Sequence, residues 1–532
     1  MTFHHSAPFS IPDIRNFIPE KVKPWILVVF VLIYQISGGI YLASVSEMRG
    51  SLALLQEDIM MAGYASLVGM ALTFTIMFRL KFRFSAKNSL IITAIGLIIA
   101  NQICLHTHSV VVLVLTCFFA GFLRMWGTFA CNTIIQLWVT PKRDMSVWFC
   151  YIYLLVQGCI QLSGLTSVYV SYLSKWEYMN WLAIGLLLFV VFITFLTFRH
   201  YRSMQKLPLF GIDWLGMILW GVITLSIVFV LNYGEHLDWF DSKYIIFATV
   251  FAILAIGLNL WRSSFIRHPF IELTTWKYRN VWLTFGLYMI VNILTSPSHY
   301  FEHIYAEAIL GYDTLNVISL NWAVLFGIVV GAIFCYRYFA IKKWTYKTMT
   351  LIGFVLILLY LLIMYFIIDY NLPKETLILP LFVRGVGYII IAITLITALT
   401  IIPFNHFPQN LTIQAFASAS IGPLIGSSIL IEAFKISSRK NFMILGTNID
   451  KVNPLVNQIT KERIYHDLQL QSSILSMKEV FGWLFLFGLL VLLILLTVQS
   501  TLRPKSIHPK FGSIRRSIKH QIKRDRLELP EE

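Results

Sequence analysis

Two arginines stand where a basic side chain is least expected. Arg124 lies near the middle of the apolar run VVVLVLTCFFAGFLRMWGTFACNTIIQLWV, and Arg384 lies in the run that begins near Thr376. A guanidinium at the centre of a bilayer costs about 2.5–3.5 kcal/mol on insertion scales, so intramembrane charges face a bundle interior or a wet cavity. Both arginines sit in one local pattern. Phe122-Leu123-Arg124-Met125-Trp126-Gly127 and Phe382-Val383-Arg384-Gly385-Val386-Gly387 each read aromatic, apolar, Arg, any residue, apolar, Gly. They are the only Lys or Arg deep inside any apolar run. Chemically, such groups serve as cavity charges or as partners that tune a nearby carboxylate. Two matched arginines in two halves predict a duplicated helical unit around a central cavity.

A second group can carry protons. His299, His303 and Glu307 are spaced i, i+4, i+8 and form one stripe if the helix continues, with Glu302 beside it. Protonatable groups in a row relay protons; the plainer alternative places them at the water interface beyond the bilayer. His299-Tyr300-Phe301-Glu302-His303 also spells the H-x-x-E-H of inverted zinc peptidases. It closes an apolar run with no soluble catalytic domain around it, so no metal or other cofactor is assigned. Pro297, just upstream, is expected to kink the run. Gln157 and Gln161 fall one turn apart, flanked by Gly158 and Gly164, and either join helices or line a polar path. Asn132, Gln136, Asn292 and Asn321 offer the same two choices. There is no G-x-x-x-x-G-K-[ST] loop, so energy is expected from an ion gradient or the substrate's own gradient.

The elements that must position these groups follow from composition. Of 532 residues, 58% are hydrophobic, mean hydropathy is +0.73, and apolar runs of about 20 residues recur along the chain. An all-α polytopic membrane protein is predicted. Fourteen spans are read, near 25–46, 59–80, 88–105, 109–138, 147–172, 179–199, 212–233, 243–262, 280–304, 315–337, 347–368, 376–402, 411–434 and 478–500. With the N-terminus inside, 29 of the 42 Lys and Arg fall on the inner side and 11 on the outer, seven of those in residues 435–478. Both termini are therefore expected in the cytoplasm. The first span is expected to act as an uncleaved insertion signal, and the basic tail 501–532 to rest on anionic lipid headgroups. The net charge of +16 is thereby accounted for without nucleic acid. All six cysteines fall within predicted spans, which leaves no loop disulfide or CxxC metal site.

Asp213-Trp214 with Gly216 at the head of the seventh span, then Tyr233-Gly234-Glu235 and Asp238-Trp239-Phe240-Asp241-Ser242 after it, resemble the EmrB/QacA group of the major facilitator superfamily. Gly311-Tyr312-Asp313, Arg384-Gly385-Val386-Gly387 and the long loop before the last span extend the likeness over nearly the whole length. The chain departs from the group in lacking an Asp in span 1, the Gly-x-x-x-Asp-Arg-x-Gly pattern after span 2, and the Gly-Pro of span 5.

The resemblance implies two six-helix bundles plus two extra linker helices, fourteen transmembrane helices in all. The expected division is a cytoplasmic tail 1–23, an N-terminal bundle 24–200, extra helices 211–264, a C-terminal bundle 279–500 with a long outer loop 435–478, and a basic tail 501–532. It implies proton-coupled efflux of hydrophobic or amphipathic compounds by rocking of the bundles, in an inner (plasma) membrane. It also implies a periplasmic adaptor on loop 435–478, feeding an outer-membrane channel. Arg124, Arg384, Gln157, Gln161, His299, Glu302, His303 and Glu307 are the candidate substrate or proton-coupling residues, with a small molecule, protons and membrane lipids as partners. Two cavity arginines also suit a symporter or facilitator for an organic anion. A membrane enzyme acting on lipid-linked substrates is the competing class outside transport.

Overall fold

The computed structural model describes residues 13–40, 45–140, 144–200, 209–298, 301–447, 449, 460–497 and 502–504. These are helical almost throughout; extended pairing is limited, among the described residues, to one antiparallel bridge between Ile14 and Phe198. Short polar residues start many of the helices as side-chain caps. Ser85 accepts from Asn88 N, Asp144 from Ser146 N, Asp213 from Gly216 N and Thr345 from Thr348 N.

The first nine helices are α1 (Lys23–Ile36), α2 (Val45–Leu52), α3 (Gln56–Arg83), α4 (Ala86–His106), α5 (Val110–Val139), α6 (Met145–Leu173), α7 (Glu177–Thr197), α8 (Trp214–Tyr233) and α9 (Lys243–Phe265). After them come α10 (Arg279–Thr295), α11 (Phe301–Ile304), α12 (Thr314–Ser319), α13 (Asn321–Phe334), α14 (Tyr346–Ile367), α15 (Ile378–Ala398), α16 (Phe407–Ala415), α17 (Ile421–Thr447) and α18 (Lys461–Thr497). Among the described residues, thirteen helical runs are long and apolar enough to cross a bilayer. They match the second to the fourteenth expected spans. The first expected span is the 14-residue α1, about 21 Å long, which stops at Ser37-Gly38-Gly39; Gly39 has φ +84°, a conformation glycine adopts without strain.

The chain forms two compact units. One comprises the residues up to Gly286 together with Ile396–Ile421; the other comprises Leu287–Leu395 and Gly422–Arg503.

In the first unit, α5 packs against α3 through missing side chains. A Cβ added at Gly121 would lie 1.8 Å from the Ser66 carbonyl oxygen, and one at Gly69 would lie 2.0 Å from that of Phe118. Small residues let helix backbones approach where lipid gives no hydrophobic drive to associate. Residues 13–18, read as part of a polar tail, instead pack onto the end of α7. Arg15 N donates to Thr197 O at 2.8 Å, Arg199 N to Asp13 O at 2.9 Å, and Ile14 and Ile18 enter the hydrophobic core. Burial lifts the Asp13 carboxyl above its ordinary range, partly offset by the Lys81 charge.

In the second unit, α15 meets α13 and α14 through glycines. A Cβ on Gly385 would lie 2.6 Å from Val324 O, and one on Gly387 would lie 3.1 Å from Gly353 O. At Pro297, where a kink is expected, α10 passes directly into the 3-10 turn Ser296–Ser298; from Phe301 the chain forms α11 and the π-helical turn Tyr305–Ile309.

Residues 435–447 and 461–478, expected in an outer loop, are helical instead and belong to α17 and α18. The 37-residue α18 is about 55 Å long, well beyond the roughly 30 Å of a bilayer core. The extension is held by a polar seam. Ser437 donates to Glu479, Lys440 Nζ lies 3.3 Å from Glu479 Oε1, Asn441 Nδ2 donates to Ser476 Oγ at 3.0 Å, and Ser472 Oγ donates to Ser438 O at 2.8 Å. The expectation failed because hydropathy falls in this region while helical spacing persists: Ser437, Ser438 and Asn441 face Ser472, Ser476 and Glu479 at i, i+3, i+4 and i+7 intervals.

Candidate functional site

Arg384 is presented by α15 beside Gly385, whose missing side chain lets α13 close on the helix. Its relative exposure is 9%. Its Nη1 donates to Glu302 Oε1, completing an ion pair. Tyr360, fully buried on α14, donates its hydroxyl to the same Oε1 at 2.8 Å. The Arg384 guanidinium carbon also lies 5.7 Å from the centroid of the Tyr360 ring. Three helices thus meet at one carboxylate oxygen. The surroundings are aromatic: Phe301 packs against Phe434 and Phe481, and Phe481 against Tyr360, with centroids 5.1, 6.1 and 6.3 Å apart. A charge pair in such a setting is strongly coupled, because removal of one charge leaves the other without compensation in a low-dielectric environment.

Two of the sequence candidates, Glu302 and Arg384, are therefore partners. Glu307 follows in the π-helical turn and is half-buried. His299 and the side chain of His303 lie outside the described residues. Tyr360 was not among the candidates. A tyrosine within LILLYLLIMY carries no motif, and only the fold puts its hydroxyl on Glu302.

In the first unit, Arg124 is half-buried on α5. Its Nη2 lies 3.5 Å from Met70 Sδ, and a Cβ on Gly38 would stand 3.1 Å from its Nη1. One turn along α5, Thr128 pairs with Gln35 of α1 at 3.3 Å. Gln157 and Gln161 are half-buried on α6. The last glycine of the repeated pattern is used for packing in both copies: a Cβ on Gly127 would lie 2.5 Å from the Tyr34 ring, as one on Gly387 would meet α14.

Sequence reading also missed a buried polar cluster in this unit. Gln409 Oε1 accepts from Glu272 N and Thr275 Oγ1, while His406 Nδ1 lies 3.0 Å from Thr275 Oγ1 and 3.5 Å from Glu272 Oε2. Farther along the same segment, Gln414 Nε2 donates to Thr284 Oγ1 at 2.9 Å and to Val281 O at 3.1 Å.

The Asp213-Trp214 and Gly216 pattern has a clear physical role. Asp213 caps α8 and holds Arg262 of α9 by two contacts of 2.5 and 2.9 Å, and it also accepts from Phe270 N at 3.1 Å. A Cβ on Gly216 would sit 2.2 Å from the carboxylate. Burial by itself would raise the Asp213 carboxyl, but Arg262 and the Gly216 and Phe270 amides together hold it below the ordinary range.

No family model and no curated protein sequence matches the chain. Its fold does match solved structures. A POT peptide transporter variant in complex with alafosfalin aligns with TM-score 0.58 at 13% identity, over 91% of this chain and 96% of that one. A proton dependent oligopeptide transporter aligns with TM-score 0.56 at 12% identity, over 90% and 98%. A variant of the nucleoside transporter NupG aligns with TM-score 0.51 at 13% identity, over 89% and 99%. The architecture is that of the major facilitator fold, an all-α polytopic membrane protein.

Proposed function

We propose that this chain is a proton-coupled secondary transporter, with Glu302 as the proton-carrying group and Arg384 as its counter-charge. The carrying observation is the partly buried meeting of carboxylate, guanidinium and phenol at Glu302 Oε1. When Glu302 is ionised, it and Arg384 neutralise one another. Protonation cancels one charge and weakens the tie between α11 and α15, while the Tyr360 ring offers the guanidinium an alternative partner. A proton that binds one arrangement better than the other shifts their populations, as alternating access requires. Proton coupling in a structural neighbour supports this reading.

The transported compound is a small molecule, and the EmrB/QacA resemblance points to export of hydrophobic or amphipathic compounds. Organic-anion transport is the second reading. Enzymatic chemistry on lipid-linked substrates is not proposed, since the named structural neighbours are transporters. We place the chain in the inner (plasma) membrane with both termini cytoplasmic. The adaptor implied by the resemblance, with its outer-membrane channel, would meet the helical extension of α17 and α18.

The test is accumulation of a fluorescent amphipathic cation in cells and proteoliposomes, with and without an uncoupler. Uncoupler-sensitive export by the wild type, lost in Glu302→Gln, supports the proposal. Gradient-driven export unchanged in Glu302→Gln rules out this coupling site.

A further inference from the structure

Cys104, in the last turn of α4, and Cys117, two turns into α5, are both fully buried, with their sulfurs 3.8 Å apart. They lie in a small apolar cluster with Ile40, Met48, Ile59 and Trp176. The backbone that closes over them is the break after α1. A Cβ on Gly39 would stand 3.2 Å from Cys104 Sγ and 3.9 Å from Cys117 Sγ, and Gly39 has positive φ. Its neighbour Gly38 abuts Arg124 Nη1 in the same way, at 3.1 Å. One two-residue break thus touches the thiol pair on one side and the intramembrane arginine on the other.

We infer that Cys104 and Cys117 form a redox-closable dithiol, a modification site that joins α4 to α5 beside the Gly38–Gly39 break. A bond between the sulfurs requires them to approach from 3.8 Å to about 2.05 Å. The oxidant is a small-molecule disulfide. The thiolate of one cysteine attacks it, forming a mixed disulfide and releasing one small thiol. The second cysteine then attacks the protein sulfur of that bond, releasing the other small thiol. Two cysteine S–H bonds and one oxidant S–S bond are lost; one protein S–S bond and two small-molecule S–H bonds form. The outcome does not depend on what the protein transports.

The experiment treats the purified full-length protein, folded in detergent, with dipyridyl disulfide, an apolar oxidant whose released thiopyridone absorbs light. After quenching and denaturation, remaining thiols are alkylated and mapped by peptide mass spectrometry. The expected result is loss of two of the six thiols, a crosslink between the peptides carrying Cys104 and Cys117 with no pyridyl adduct, and reversal by a reductant. Cys104→Ser and Cys117→Ser variants should each lack the crosslink, and thermal unfolding of each variant in detergent close to that of the wild type shows that this does not reflect misfolding. Full alkylation of all six cysteines after oxidation, or stable pyridyl adducts at Cys104 and Cys117 in place of the crosslink, would overturn the inference.

Discussion

Glu302 and Arg384, 82 positions apart in the chain, share one partly buried ion pair, and Tyr360 donates to the same carboxylate oxygen. Glu302 lies on the short α11, and close glycine packing of α15 holds Arg384 in place.

Removing one member of this pair is expected to harm the protein more than removing both. Arg384→Ala leaves a carboxylate with no cation, and Glu302→Ala leaves a buried guanidinium; each should lose about 3–5 kcal/mol in the charged state. The double variant leaves no charge and should recover part of that loss. Thermal unfolding of the three proteins in detergent checks this, and additive losses would show that the pair is not coupled.

Tyr360→Phe keeps the ring beneath the guanidinium and deletes only the hydroxyl. Transport should persist with a displaced pH profile, because Glu302 loses one hydrogen bond worth about 1.5–3 kcal/mol to a charged acceptor. Tyr360→Leu removes the ring as well and should reduce transport further. A pH profile for Tyr360→Phe identical to that of the wild type would show that the phenol is only packing.

Arg124→Ala should abolish transport with membrane expression near normal, and Arg124→Lys should rescue poorly, since an ammonium lacks the planar fork of a guanidinium. Wild-type transport rates in Arg124→Ala would remove this residue from the mechanism.

Asp213 ties α8 to α9, and the pH dependence of that tie has a definite sign. Its carboxyl is held below the ordinary range, so the contribution is complete above the unfolded value of about 3.9 and is lost as pH falls through the lower folded value. At neutral pH the tie is intact. Asp213→Asn should loosen α8 from α9 at all pH values, seen as faster amide exchange at the start of α8, whereas the wild type should loosen only in strong acid.

The helical extension of α17 and α18 rests on hydrogen bonds. Asn441→Leu removes the donors to Ser437 and Ser476, each worth about 1 kcal/mol, and should raise amide exchange in 437–447 and 461–476. Replacing residues 440–472 by a ten-residue Gly/Ser bridge should spare transport in vesicles and abolish resistance in cells if an adaptor docks there. Cellular resistance that survives the replacement would exclude the docking role.

The sequence by itself determined the class of structure and marked several residues that the fold brings into contact. Recurrent apolar runs set thirteen of the helices, because a backbone in lipid must satisfy its own hydrogen bonds. The matched Arg124 and Arg384 patterns marked two helices whose glycines prove to be packing contacts. Asp213 was marked by the sequence only as part of a family pattern; that it caps α8 and holds Arg262 is seen in the structure. Only the tertiary structure decided who faces whom. Glu302 belonged to a histidine stripe by sequence spacing, yet its partner comes from a helix 82 residues away, and Tyr360 looked like any apolar-run tyrosine. Cys104 and Cys117 read as separate buried thiols until α4 and α5 folded back on one another. Low hydropathy turned residues 435–478 into a loop on paper, while a polar seam between two helices satisfies the same side chains in space. Hydropathy measures each residue against water or lipid, whereas pairing energies exist only once a second helix supplies the other half.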